Sequence, residues 1–163
     1  MNLSYQVVDL PLKHTFTIAH QSRDVQDTLI VKLQDGAFHG LGESTTNPFY
    51  GMTITNMSEC LEKFRLVVEK GEWETPTELF DLGREVFKEN PFAQCALDMA
   101  AWDIYYNKHG RKLYELFKLD HANIPTTNFT IGIDTLEKRA SKIKNIKQPI
   151  YKINLHTHDD LSI

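Results

Sequence analysis

The sequence has little that would tie it to a membrane, a nucleic acid or an oxidising compartment. It contains only two cysteines among 163 residues, Cys60 and Cys95, set far apart inside helical patterns. A disulfide framework needs denser cysteine usage, so two buried free thiols are the expectation. No apolar run approaches the roughly 18 residues that span a bilayer. Met1 to Leu10 is polar and alternating, without the basic and apolar regions of a secretory signal. A cytoplasmic protein is therefore expected. The 22 acidic and 18 basic residues leave a net charge of −4, spread along the chain without a basic patch. That excludes an electrostatic pull toward nucleic acid or an anionic membrane. No internal repeat is evident, and there is no phosphate loop, CxxC or GxSxG motif.

What is present suits a folded globular chain, with 41% hydrophobic and 25% charged residues. Residues 3–9 read as a strand, and residues 28–34 (TLIVKLQ) as a clearer one. Asp35-Gly36 is a turn pair, followed by a second β-run from Ala37 to Glu43, which together make a hairpin. Between the first two strands, Pro11 to Asp27 reads as a long connection of the kind that often carries function. A second loop, residues 44–52, contains Asn-Pro and Gly.

Three helices follow. Thr53 to Glu69 places Ile54, Met57, Leu61, Phe64 and Val68 at helical spacing. Pro76 to Lys88 opens on Thr75-Pro76, a cap with proline in the first turn, and carries Leu79, Phe80, Leu82, Val86 and Phe87 as its apolar stripe. Pro91 to Lys108 has a narrow small-residue face, Ala93, Ala96, Leu97, Ala100, Ala101 and Ile104, and Gly110 ends it. After Pro125 the rhythm becomes strand (127–133), helix (135–145), strand (150–155), a βαβ pattern that implies parallel strands. A single βαβ unit leaves strand edges unpaired, so the chain is expected to stop inside a larger domain.

Three segments resemble the enolase superfamily. Ala96-Leu-Asp-Met-Ala-Ala-Trp-Asp-Ile-Tyr105, with Gly110-Arg-Lys-Leu-Tyr-Glu-Leu116 after it, resembles the family's A-x-D-x-A-x-W-D helix and its sequel. Gly40-Leu-Gly-Glu43 resembles its G-x-G-E turn. Tyr151-Lys-Ile-Asn-Leu155, followed by Asp159-Asp160, resembles the K-x-K strand and the acidic stretch behind it. The resemblance implies an α+β capping domain (a β-hairpin or meander plus three helices) over residues 1–122. The first β-α-β of a truncated modified TIM barrel would follow over residues 123–163. Within the superfamily it points to the muconate-lactonising and dipeptide-epimerase group.

The function implied is removal of the proton α to a carboxylate, with Mg2+ stabilising the enediolate and a small dipeptide as substrate. The Mg2+ ligands would lie outside this chain, and this portion alone is expected to be inactive. The resemblance implies no nucleic-acid or membrane partner, and it admits a homo-oligomer. Side chains alternate along a strand, so Lys152 and Asn154 would share a face directed into the barrel. Asn154 stands where the family has its base lysine, and an amide cannot take a proton at neutral pH. Thr130 corresponds to a substrate-contacting position, and Ile18 to Arg23 matches the flexible capping loop, from which Arg23 is expected to meet an anionic substrate group. Tyr50, in the second loop, is expected to close over the substrate. Alternatives are a degenerate, non-catalytic member, a muconate cycloisomerase, an o-succinylbenzoate synthase or an N-acylamino-acid racemase. His156 and His158 have a metal-like spacing but lack a third ligand nearby. Glu43, Asp98 and Asp103 read as structural.

Overall fold

A computed structural model describes residues 1–155 of the chain. It forms two compact units: Met1–Leu10 with Gln26–Asp120, and Pro11–Val25 with the chain from His121 onward. Strands β1 (Asn2–Ile18), β2 (Gln21–Asp35) and β3 (Phe38–Thr45) form one sheet in that order. Helices α1 (Ile54–Lys70), α2 (Pro76–Gly83), α3 (Pro91–His109) and the short α4 (Leu113–Leu116) follow. Then come β4 (Phe129–Ile131), α5 (Leu136–Asn145) and β5 (Tyr151–Ile153), with β4 and β5 paired parallel. The α+β order followed by a parallel βαβ agrees with the pattern read from the sequence.

The first unit is built around a close contact between β3 and α3. β2 alternates Leu29, Val31 and Leu33 into the core, and its ladder partners on β3 are Ser44, Gly42 and Gly40. A Cβ at Gly42 would lie 2.8 Å from Ala100 N and closer still to Ala96 O, and one at Gly40 would lie 2.8 Å from Ile104 Cβ. Only glycine on the strand and alanine on the helix allow backbones this near. The Gly-x-Gly and Ala-x3-Ala motifs are therefore two halves of one contact. The predicted small-residue face of α3 is buried in full.

Side chains of α3 also finish the free edge of β3. Asp103 Oδ2 accepts Leu41 N–H at 2.7 Å, and Asn107 Nδ2 donates to His39 O at 3.1 Å. These groups occupy positions that a fourth strand would otherwise fill. At the other side of the sheet, Arg65 of α1 forks onto Glu62 (Nε–Oε2 2.7 Å, Nη2–Oε1 2.6 Å) and reaches Glu69 at 2.9 Å. It also donates to Leu3 O, while Tyr5 OH donates to Glu62 at 2.8 Å. Arg65 and Tyr5 hold the Glu62 carboxyl down at about 2.

Helix boundaries follow their caps. Thr53 and Asn56 form a capping box for α1, and Gly71 closes it in the left-handed region at φ 68°. Thr75 and Glu78 do the same at the start of α2. However, α2 ends at Gly83 and not at Lys88. The chain turns there so that Phe87 swings inward, its ring edge-on to Phe64 at 5.2 Å, with Phe87 N–H bonded to Gly83 O at 3.0 Å. Leu82 and Val86, expected in the stripe, are exposed. Cys60 is half-buried, and Cys95 is exposed beside Met99, so the expectation of two buried thiols fails for Cys95.

The largest departure is Pro11 to Asp27. It is not an irregular loop. β1 and β2 extend through it as a hairpin arm that reverses at Ala19-His20. Polar cross-strand pairs mark its outer part: Thr15 Oγ1 with Asp24 Oδ1 at 2.5 Å, and Thr17 with Ser22 at 2.9 Å. Such pairs stabilise a ladder without any apolar alternation to announce it.

Candidate active site

In the second unit, β4 and β5 pair Phe129 with Tyr151, Thr130 with Lys152 and Ile131 with Ile153. Residues paired in a parallel ladder point to the same side, so Thr130 and Lys152 share one face. Ile131, fully buried, and Ile153 take the other. Asn154 lies just past β5 and continues the ladder, its N–H donating to Ile131 O at 3.0 Å. Alternation returns Asn154 to the Lys152 face. Lys152 is exposed, while Thr130 and Asn154 are half-buried. An ammonium and a hydroxyl side by side can hold a carboxylate or an enediolate oxygen. His156, His158, Asp159 and Asp160 lie outside the described residues.

The arm belongs to the same unit and is fastened to the chain leaving β4. Ile133 N–H donates to Thr17 O at 2.9 Å, and a Cβ at Gly132 would meet Thr17 O at 3.0 Å. Arg23, near the arm's tip, donates to Gln21 Oε1 at 2.7 Å. A groove of about 840 Å³ runs between Lys13, His14 and Thr15 of the arm and Lys138 and Lys142 of α5. Asp134 in that groove is paired with Lys138 at 3.3 Å and Lys142 at 3.2 Å. The spacing of an acid with lysines four and eight residues on is the signal of this trio in the sequence.

Tyr50 belongs to the first unit, in a short 3-10 turn, Pro48–Tyr50. Asn47 fixes that turn by accepting Phe49 N–H at 3.1 Å and by bridging to Met52 through both backbone bonds at 2.9 Å. Tyr50 is exposed, edge-on to Phe49 at 4.9 Å and near Phe92 at 5.8 Å. Among the acids read as structural, Asp103 makes the edge bond to Leu41 described above. Burial alone pushes the Asp98 carboxyl up. Among the described residues, no three His, Cys, Asp or Glu side chains converge on one point. No donor set among the described residues therefore fits a Mg2+ ion.

A model of the mandelate racemase / muconate lactonizing enzyme N-terminal domain matches residues 3–117. The chain belongs to this family. An L-Ala-D/L-amino acid epimerase of Flavobacterium johnsoniae is 44% identical over the whole chain, which covers 48% of that relative. A second, from Maribacter sp., is 41% identical with the same coverage. The chain thus spans about half the length of the curated relatives it matches. The dipeptide epimerase of Enterococcus faecalis V583, solved with Mg and L-Leu-L-Tyr, is 26% identical with a TM-score of 0.79. The match covers 99% of this chain and 47% of that one. The antiparallel sheet with its helices is thus the capping domain of this enolase-superfamily family, and the small parallel sheet is where its barrel begins.

Proposed function

We propose that the chain is the N-terminal portion of a metal-dependent dipeptide epimerase. The observation that carries the reading is the Thr130–Lys152 pair on one face of the β4–β5 ladder. The proposed substrate is a small dipeptide of the L-Ala-D/L-Glu type, in keeping with the L-Ala-D/L-amino acid epimerase names of the relatives. The capping domain is proposed to occupy residues 1–122 and the barrel to begin at residue 123. Mg2+ would be held by acids not among the described residues and would supply charge for the enediolate. We place the protein in the cytoplasm; no helix among the described residues is long and apolar enough to cross a membrane.

The roles of this chain's residues follow from their chemistry. The Lys152 ammonium would offset charge growing on the substrate carboxylate. Thr130 would donate a hydrogen bond beside it. Arg23 on the arm and Tyr50 on its turn would contact the rest of the dipeptide. Asn154 cannot remove a proton, so chemistry on its face would be limited to hydrogen bonding. One base elsewhere could then exchange the Cα proton without efficiently inverting the centre.

A chimera tests this, joining residues 1–163 to the remaining half of the Flavobacterium relative. With Mg2+ and L-Ala-L-Glu in D2O, the expected result is Cα deuterium incorporation well ahead of epimer formation. Asn154→Lys should then raise inversion by about a hundredfold, the scale of a positioned general base. Inversion unchanged by Asn154→Lys, or exchange unaffected by Lys152→Ala, would overturn the reading. The isolated 163-residue chain is expected to show no turnover.

A further inference from the structure

We propose that Tyr151 is the positioning residue that sets the β4–β5 register and thereby places Lys152 beside Thr130. The functional weight of this placement rests on the reading of Lys152 above. The ladder itself is short: three paired residues, flanked by Phe129 N–H to Ile150 O and Asn154 N–H to Ile131 O, each at 3.0 Å. So short a parallel pair specifies its register weakly. A slip of one residue would turn Lys152 to the opposite face, because side chains alternate with period two.

The phenol of Tyr151 supplies what the ladder lacks. α5 ends at Asn145, and its last carbonyls have no following helical turn to bond them. The single Tyr151 hydroxyl proton is shared between Ile146 O and Ile143 O, the latter at 3.2 Å, and the phenol oxygen accepts Gln148 N–H at 2.9 Å. One side chain on the strand thus caps the helix before it and gathers the whole connection. Pro149, in that connection, has no N–H to offer. Bolting residue 151 to the end of α5 leaves β5 one position at which to start. Lys152 is the next residue.

The test is Tyr151→Phe in the full chain, read by amide hydrogen exchange and by the cross-peak between the Thr130 and Lys152 side chains. Exchange at Asn154 should accelerate about tenfold, the loss expected when one hydrogen-bonded group is removed. The cross-peak should weaken, and the amides of β2 in the first unit should not change. Replacing Tyr151 with 4-aminophenylalanine, which restores an N–H donor, should recover the cross-peak and most of the protection. The assignment is overturned if Asn154 exchange stays within about twofold of the parent with the cross-peak intact. It is also overturned if every amide of β4, α5 and β5 is lost together without rescue, since the phenol would then be a general stabiliser. Neither readout uses substrate. Failure of the epimerase reading would appear in the chimera assay and leave this result standing.

Discussion

The two units are held by different kinds of contact. In the first, a helix lies against a strand at backbone distance, and Gly40, Gly42, Ala96 and Ala100 make that possible. In the second, three paired residues and a few polar side chains join a hairpin arm, a helix and a two-stranded sheet. Backbone-close packing tolerates almost no substitution. Polar bolts and short ladders tolerate several, each at a modest cost. The first unit should therefore fail abruptly when its contact is touched, and the second gradually.

The sharpest way to break that comparison is a pair of glycine substitutions. Gly42→Val puts a branched side chain into Ala96 O and Ala100 N, backbone atoms that cannot move aside without shifting α3. The expected loss is about 3 kcal/mol or more, beyond ordinary overpacking, measured by urea denaturation. Gly132→Ala meets Thr17 O at 3.0 Å and Thr17 N at 3.2 Å, where the arm can yield by a few tenths of an ångström. Its expected loss is about 1 kcal/mol. Equal losses at the two sites would erase the distinction.

The same contrast explains what the sequence disclosed. A backbone-close contact admits only glycine and alanine, so it leaves a motif, and the face of α3 could be read residue by residue. The cap at Thr75 was legible for a similar reason, since few residue types can make one. Thr53 reads in the sequence as the first residue of its helix, and its box with Asn56 emerges only in the structure. The arm was misread because its strands are paired through Thr15–Asp24 and Thr17–Ser22 and turn at Ala19-His20, with no Asn-Gly or Asp-Gly signal. The end of α2 was misplaced because Phe87 reaches the core by a turn at Gly83, a tertiary choice that periodicity cannot show. At the candidate site, the family resemblance named Lys152, Thr130 and Asn154, and nothing in the sequence showed Tyr151's bonds to Ile143, Ile146 and Gln148. Those bonds depend on where α5 stops.

A smaller effect sharpens the account of the first unit. Asp103→Ala removes the acceptor for Leu41 N–H at the exposed edge of β3. Water can replace it in part, so the expected cost is about 1 kcal/mol. The uncovered edge should also promote self-association, seen as a concentration-dependent mass in sedimentation. Asp103→Asn keeps an oxygen acceptor and should lose less on both counts. An Asp103→Ala protein as stable and monomeric as its parent would mean that the Asp103 bond adds nothing to the packing of α3 and the Asn107 bond to His39 O.

The smallest effect concerns the network joining β1 to α1. Glu62 falls from its ordinary 4.5 to about 2 because Arg65 and Tyr5 bond to its ionised form. A carboxyl whose folded-state pKa is depressed binds protons more readily when unfolded. Its contribution is therefore fully present above about pH 4.5 and disappears as pH falls toward about 2. The Glu62 side chain is 47% exposed, so solvent screens much of that benefit, and the net value at neutral pH is about 0.5–1 kcal/mol. Glu62→Gln should lower stability by that amount at about pH 7 and by almost nothing at about pH 2, with the difference closing between those limits. Arg65 also bonds Leu3 O and Glu69, so it would retain part of its hold on β1 in that variant. A Glu62→Gln loss that persists unchanged in acid would show that the side chain acts by packing, and that its charge adds nothing to the hold of α1 on β1.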